Sequence, residues 1–403
     1  MAPGRLEVAD VFREHGAEFL EAWGKRISSE QRRVLRDITQ CRTALLGGHK
    51  LQCDHCGHEE ISYNSCRNRH CPKCQASARA QWLDRESERL LDAEYFHVVF
   101  TLPEALGPIA LQNKREIYGT LFQAAAETLS TIARDPKHLG AETGFLMVLH
   151  TWGQSLHHHP HVHVVVPGGG ISLDRTRWIS SRRDFFVSVR VLSRLFRGKF
   201  LASLERLRKK GSLVLAGDVA LLADPAKWEA FVKSLKEMDW VVYAKRPFGS
   251  ASVVLKYLAR YTHRVAISSG RLVSLKDGKV SFRWKDYAQG SQQKTMTLEA
   301  VEFIRRFLLH VLPRGFVRIR HYGFLSNRLR QKKLALARSL IEAQKPKTAL
   351  EGGGEPSIDG KDQDGTSEHE RRCASCKKGR MIYLEDLAPL KKPGLRWEGN
   401  DTS

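Results

Sequence analysis

His157 to Val166, HHHPHVHVVV, is the stretch on which the reading of the whole chain turns. Side chains on a strand alternate between its faces, so His161 and His163 point one way while Val162 and Val164 pack behind them. Pro167 and Gly168–Gly170 end the run. Upstream, GFLMVLHTWG (Gly144 to Gly153) reads as a second, buried strand, and YFHVVFTLP (Tyr95 to Pro103) as a third, closed by its proline. Between these two, Gln112 to Ala133 has helical character. Strand, helix, strand and strand in this order predict an α+β sheet with helices on one face. Two imidazoles on such a strand can hold a divalent cation at the sheet edge; a polar solvent face on a half-buried strand has the same pattern.

The remaining elements follow from periodicity. Helices are expected over Ala76 to Leu91, Val191 to Leu207, Pro225 to Glu237, Ala251 to Ala266 and Leu325 to Ala343, and a strand over Trp240 to Lys245. RLVSLKDGKVSFRWKDY is a hairpin whose turn carries Asp277-Gly278. Lys345 to Glu370, rich in Gly, Asp and Glu, has the composition of a linker. No internal repeat is visible.

The chain has 403 residues, 42% of them hydrophobic, which is enough for a sizeable core. Lys and Arg number 66 against 44 Asp and Glu, a formal net charge of +22. A surplus of that size points to a polyanionic partner, and nucleic acid is the commonest. No segment has the run of apolar residues that a membrane span requires, and the N-terminus lacks the apolar core of a secretory signal. The expected location is the cytoplasm, where eight cysteines point to metal rather than to disulfides.

Six of the eight cysteines precede Asp92. Cys53-x2-Cys56 and Cys71-x2-Cys74, fourteen residues apart, have the spacing of two knuckles closing on one tetrahedral zinc. Cys41, His49, Cys66 and His70 lie close by in sequence. They form either a second, interleaved site or, with Cys66 as a small core residue, no site at all. Arg67, Arg69 and Lys73 give this region a basic edge suited to nucleic acid. Cys373-x2-Cys376 is half a site without an evident partner.

KYLARYTHRVAIS places Tyr257 and Tyr261 four residues apart, on one face of a helix. A tyrosine hydroxyl can attack phosphorus and conserve the bond as a phosphotyrosine. The same spacing also completes an apolar stripe with Val254, Leu258 and Val265, so a core role fits it too. Arg260, His263 and Arg264 flank the pair with groups that attract a DNA strand.

Taken together, YNSCRNRHCPKCQ (Tyr63 to Gln75), HVVFTLP (His97 to Pro103), TWGQSLHHHPHVHVVVPGGG (Thr151 to Gly170) and YLARYTHRVAIS (Tyr257 to Ser268) resemble the HUH rolling-circle transposases, closest to the two-tyrosine group of the insertion sequence 91 kind. The resemblance runs from about Cys41 to Arg328. It implies an antiparallel-sheet HUH endonuclease core with helices, preceded by a small zinc-binding module. The implied boundaries are a zinc-binding DNA-recognition module over 1–92, a catalytic domain over 93–343, and a disordered linker and basic C-terminal tail over 344–403. It further implies a single-strand endonuclease and ligase acting on element-end DNA, with Mg2+ or Mn2+ on His161 and His163 and attack by Tyr257 or Tyr261. No nucleotide cofactor is needed, because the phosphotyrosine stores the bond energy. Such enzymes complete the metal shell with a third protein ligand, for which Gln154, His158 and His159 are candidates by proximity in sequence. A plasmid relaxase or replication initiator shares this chemistry, but no GxxxxGK[ST] phosphate loop accompanies it here. A non-catalytic zinc-containing DNA-binding regulator is the reading from another class.

Overall fold

A computed structural model describes residues 6–182, 187–248, 253, 266–287, 289–326, 328–344 and 372–390. The chain opens with two helices, α1 (Val8–Trp23) and α2 (Ser29–Gln40). Ser28 caps α2 by accepting from the Gln31 amide while the Gln31 side chain accepts from the Ser28 amide, which satisfies two otherwise orphaned donors. A hairpin, β1 (Gly48–Cys53) and β2 (Glu59–Tyr63), precedes α3 (Pro72–Ser87). This third helix starts four residues before its expected position, because Pro72 is well suited to a first turn whose amide needs no partner.

Then come β3 (Tyr95–Thr101), α4 (Gly107–Gln112), α5 (Lys114–Arg134), β4 (Ala141–Glu142), β5 (Gly144–Trp152), β6 (His158–Pro167), β7 (Gly169–Ser172) and β8 (Trp178–Ser180). The glycines after β6 do more than end a strand. A Cβ on Gly169 or Gly170 would lie 2.6 Å from the carbonyl oxygen of Ile179 or Glu142, so only glycine permits the close pairing of β4, β7 and β8. The chain continues through α6 (Val189–Lys209), α7 (Pro225–Glu237) and β9 (Val242–Phe248). A meander follows, β10 (Leu272–Lys276), β11 (Lys279–Asp286) and β12 (Gln292–Glu299), and its first turn holds Asp277 and Gly278 at φ 51° and 70° as expected for Asp-Gly. Last come α8 (Ala300–Leu309), β13 (Ile319–Gly323), α9 (Arg330–Glu342) and β14 (Met381–Leu387).

The central sheet has five antiparallel strands in the order β13-β5-β6-β3-β9. Alternation along each strand sorts the side chains. Phe96, Val98 and Phe100 of β3, Phe145, Met147 and Leu149 of β5, and Val162, Val164 and Val166 of β6 share one apolar cluster with Leu121 and Phe122 of α5 and Phe196 and Phe200 of α6. The fold is α+β as expected, but helices lie on both sheet faces: α5 and α6 cover this one, and α3 reaches the other. On the other face Tyr95, Leu146, Val148 and Val165 pack with Trp82 of α3. The same face carries His97, His150, His161 and His163.

The two ends of the chain depart from the expected arrangement of an N-terminal module and a free tail. Phe12 of α1 meets Phe307 of α8 edge-on at 5.2 Å, within a core that also contains Val34, Ile304 and Phe282. The first helices thus share their core with residues near 300. The C-terminal segment, expected in a disordered tail, contributes β14, which pairs antiparallel with β1 and completes a sheet in the order β14-β1-β2.

Candidate metal and DNA site

Antiparallel pairing sets His150 of β5 directly opposite His161 of β6, and Val148 opposite His163. Nitrogens of His150, His161 and His163 all lie within 4.8 Å of one another. The His161 Nδ1–H donates to the His159 carbonyl at 2.7 Å, which leaves the Nε2 lone pair of His161 facing His163 Nε2 at 3.1 Å. On the far side, His163 Nδ1 and His97 Nε2 share a 2.8 Å hydrogen bond. If Nδ1 is the donor there, two lone pairs confront each other across 3.1 Å, an arrangement that only a shared proton or a cation relieves. Ligands at about 2.1 Å in adjacent octahedral positions are themselves about 3 Å apart, so the spacing fits a divalent cation. Burial pushes His161 down to about 4, so at neutral pH the ring is an uncharged donor. His150 is held by stacking on Trp152 at 4.5 Å between centroids.

The three candidates for a third ligand are engaged otherwise. His158 Nε2 is hydrogen-bonded to the Tyr118 hydroxyl at 2.8 Å, the Gln154 amide donates to Tyr287 Oη at 3.3 Å, and the His159 ring lies between His157 and His161, at 5.5 and 5.3 Å between centroids, without joining the cluster. The side chain that does converge with His161 and His163 is His150. His97, not singled out as a site residue from the sequence, is hydrogen-bonded to His163 and fixes the orientation of its ring. Tyr257, Tyr261, Arg260, His263 and Arg264 lie outside the described residues.

The cysteines also regroup. Cys71 and Cys74 do not meet Cys53 and Cys56; they converge with Cys41 and Cys66. Cys74 Sγ is 3.7 Å from Cys41 Sγ and 3.6 Å from Cys66 Sγ. Thiolates on a tetrahedral zinc with 2.3 Å bonds stand about 3.8 Å apart, so these four fit that ion. Without a counter-charge they cannot all ionise: contact with Cys41 holds Cys74 well below the ordinary thiol range and pushes Cys66 and Cys71 up. Cys41 ends α2 and Cys71 precedes α3, so the set ties the two helices together. His49 pairs with Asp386 at 2.7 Å, and His70 accepts from the Leu312 amide at 3.4 Å; neither joins a cysteine cluster.

The sequence matches two family models, one described as a transposase zinc-binding domain over residues 11–102 and one as a putative transposase over residues 144–333. A putative transposase, y4qJ, of Sinorhizobium fredii is 52% identical over 99% of this chain and 100% of its own length. The chain belongs to the insertion sequence 91 family of transposases. The transposase for insertion sequence element IS801 of Pseudomonas savastanoi pv. phaseolicola is 28% identical over 78% of this chain and 74% of its own length. The conjugative relaxase TrwC in complex with DNA is a weak structural neighbour, with a TM-score of 0.24 and 15% identity over 61% of this chain and 71% of that one.

In this transposase the zinc-binding match holds six of the eight cysteines, all of the Cys41 cluster among them. Of the basic residues at its edge, Arg67 is exposed. Arg69 is spent on the carbonyls of Pro313 and Phe316, and Lys73 on Glu7 at 2.6 Å. These two hold the fold together, which a count of charges in the sequence does not distinguish from phosphate binding. No helix among the described residues is long and apolar enough to cross a membrane.

Burial pushes His158, bonded to Tyr118, down to about 3. A histidine that folds with a depressed pKa binds its proton more readily when unfolded, so its stabilising effect is full above the ordinary value near 6.5 and is lost as pH falls towards 3. Between pH 7 and pH 5 His158 alone is expected to cost about 2 kcal/mol of stability. Urea unfolding at the two pH values measures this; His158→Asn should show a correspondingly flatter dependence, and an unchanged one would contradict the assignment.

Proposed function

We propose that this transposase nicks and rejoins single DNA strands at the ends of its element through a 5′-phosphotyrosine intermediate, in rolling-circle transposition. The observation that carries the reading is the convergence of three imidazoles, His150, His161 and His163, on one sheet face in a chain of this family. When bound there, Mg2+ or Mn2+ draws charge from the non-bridging oxygens of the scissile phosphate. His150, His161 and His163 would hold it, His161 as a neutral donor, and the hydrogen bond to His97 would fix the ring of His163.

Tyr257 or Tyr261 supplies the nucleophile. Its hydroxyl gives up its proton as the oxygen bonds to phosphorus, the bond from phosphorus to the 3′-oxygen breaks, and the departing 3′-oxygen takes up one proton in turn. A returning 3′-hydroxyl reverses the step and frees the tyrosine. Two tyrosines allow one to cut while the other keeps its strand. The described flanks of the tyrosine segment support this role. Phe248 pairs with Tyr95 at one end of the sheet. Ala266 and Ile267 are buried with Leu156, in the turn between β5 and β6, at the other. The imidazole cluster lies between these two points.

Arg67, Arg260 and Arg264 are the proposed contacts to DNA phosphates, and residues 1–92 and 93–343 the proposed recognition and catalytic regions. Labelled single-stranded DNA bearing an element end, incubated with and without Mg2+, tests the proposal on a denaturing gel. A protein–DNA adduct is expected with metal; binding without any adduct would leave a DNA-binding protein that does not cut.

A further inference from the structure

The four cysteines outside the Cys41 cluster come from opposite ends of the chain. Cys53 Sγ lies 3.6 Å from Cys376 Sγ, and Cys56 Sγ lies 3.7 Å from Cys373 Sγ, across separations of 323 and 317 residues. Bonded sulfurs would be about 2.05 Å apart, whereas thiolates sharing a tetrahedral zinc are separated by about 3.8 Å.

Both pairs sit in matching turns. The Cys53 amide donates to the His58 carbonyl and the Gly57 amide to Cys53; the Cys373 amide donates to the Gly379 carbonyl and the Lys377 amide to Cys373. In each turn a residue adopts positive φ, Gly57 at 69° and Lys377 at 59°. In each, a backbone amide also points at a sulfur: His55 to Cys53 and Gly379 to Cys376, both at 3.4 Å. Amides aimed at sulfur favour the thiolate. The turns are then sewn together, since the Asp54 amide donates to the Arg380 carbonyl and the Arg380 amide to Asp54 Oδ1. A Cβ on Gly379 would lie 2.5 Å from Cys53 Sγ, so the second knuckle closes on the first only with glycine there.

We propose that Cys53, Cys56, Cys373 and Cys376 bind a second structural zinc ion, which clamps the C-terminal segment onto β1 and makes β14 part of the N-terminal zinc module. A clip across so long a loop restricts the unfolded chain strongly, which makes an otherwise peripheral strand a stable third member of its sheet. The site is separate from the nuclease reading, because zinc content does not depend on cleavage.

Metal analysis of the full-length protein, purified under reducing conditions, tests it. Two zinc ions per chain are expected. Cys373→Ser with Cys376→Ser should retain one, and so should Cys41→Ser with Cys66→Ser. A second measurement needs no variant: alkylation of the native protein, mapped by mass spectrometry. Cys53, Cys56, Cys373 and Cys376 should be protected together and become reactive together when a chelator removes zinc. One zinc per chain in the wild type, or Cys373 and Cys376 reacting freely while Cys53 and Cys56 stay protected, would overturn the proposal.

Discussion

His150→Ala is expected to remove metal-dependent strand cleavage as completely as His163→Ala, by about 10³-fold or more, while single-stranded DNA binding stays within about twofold. An ion that polarises a phosphate supplies several kcal/mol of barrier lowering, and about 4 kcal/mol corresponds to a thousandfold in rate. His150 stands opposite His161 and within reach of both β6 imidazoles, so its loss opens the same shell. His159→Ala, whose ring borders His161 but lies outside the cluster of three, should retain most of the cleavage, because the backbone carbonyl that accepts from His161 is kept. Cleavage rates at saturating Mg2+ measure both variants. If His150→Ala cuts like the wild type while His159→Ala does not, the ligand set is wrong.

The second large effect concerns the tyrosines. Tyr257→Phe together with Tyr261→Phe removes both phenol oxygens with little change in ring volume. Covalent adduct should then fall on the order of 10⁴-fold, to below detection, with binding intact. Each single variant should keep some adduct, because the other tyrosine retains its hydroxyl. An adduct that survives in the double variant identifies a different nucleophile.

Much of the sheet was legible because alternation is a local property. HVHVVV had to place His161 and His163 on the face opposite Val162, Val164 and Val166, and the helices of residues 112–133 and 191–207 carried enough apolar residues to cover the valine side. His150 was not legible. It lies inside GFLMVLHTWG, where a histidine in a mostly apolar strand looks like a tolerated core residue, and only the register against His161 sets it beside the other imidazoles. A signal was available in the alternation itself, since His150 falls on the face opposite Phe145, Met147 and Leu149.

The cysteines failed for a related reason. Spacing reveals that Cys53 and Cys56 share a knuckle and that Cys71 and Cys74 share another, but not which knuckles meet. Here the first knuckle forms the turn of the β1–β2 hairpin, and its partner arrives from residues 373–376. The basic edge at Arg69 and Lys73 has structural partners that sequence does not show, because both cations are held by protein acceptors.

The account rests on an imidazole-held cation touching the very phosphate that a tyrosine attacks. Replacing one non-bridging oxygen of that phosphate with sulfur, at the cleavage position mapped by the adduct, tests the contact. Cleavage with Mg2+, which binds sulfur poorly, should drop sharply in one phosphorothioate isomer and recover with the softer Mn2+. Equal rates for oxygen and sulfur substrates in both metals would contradict it.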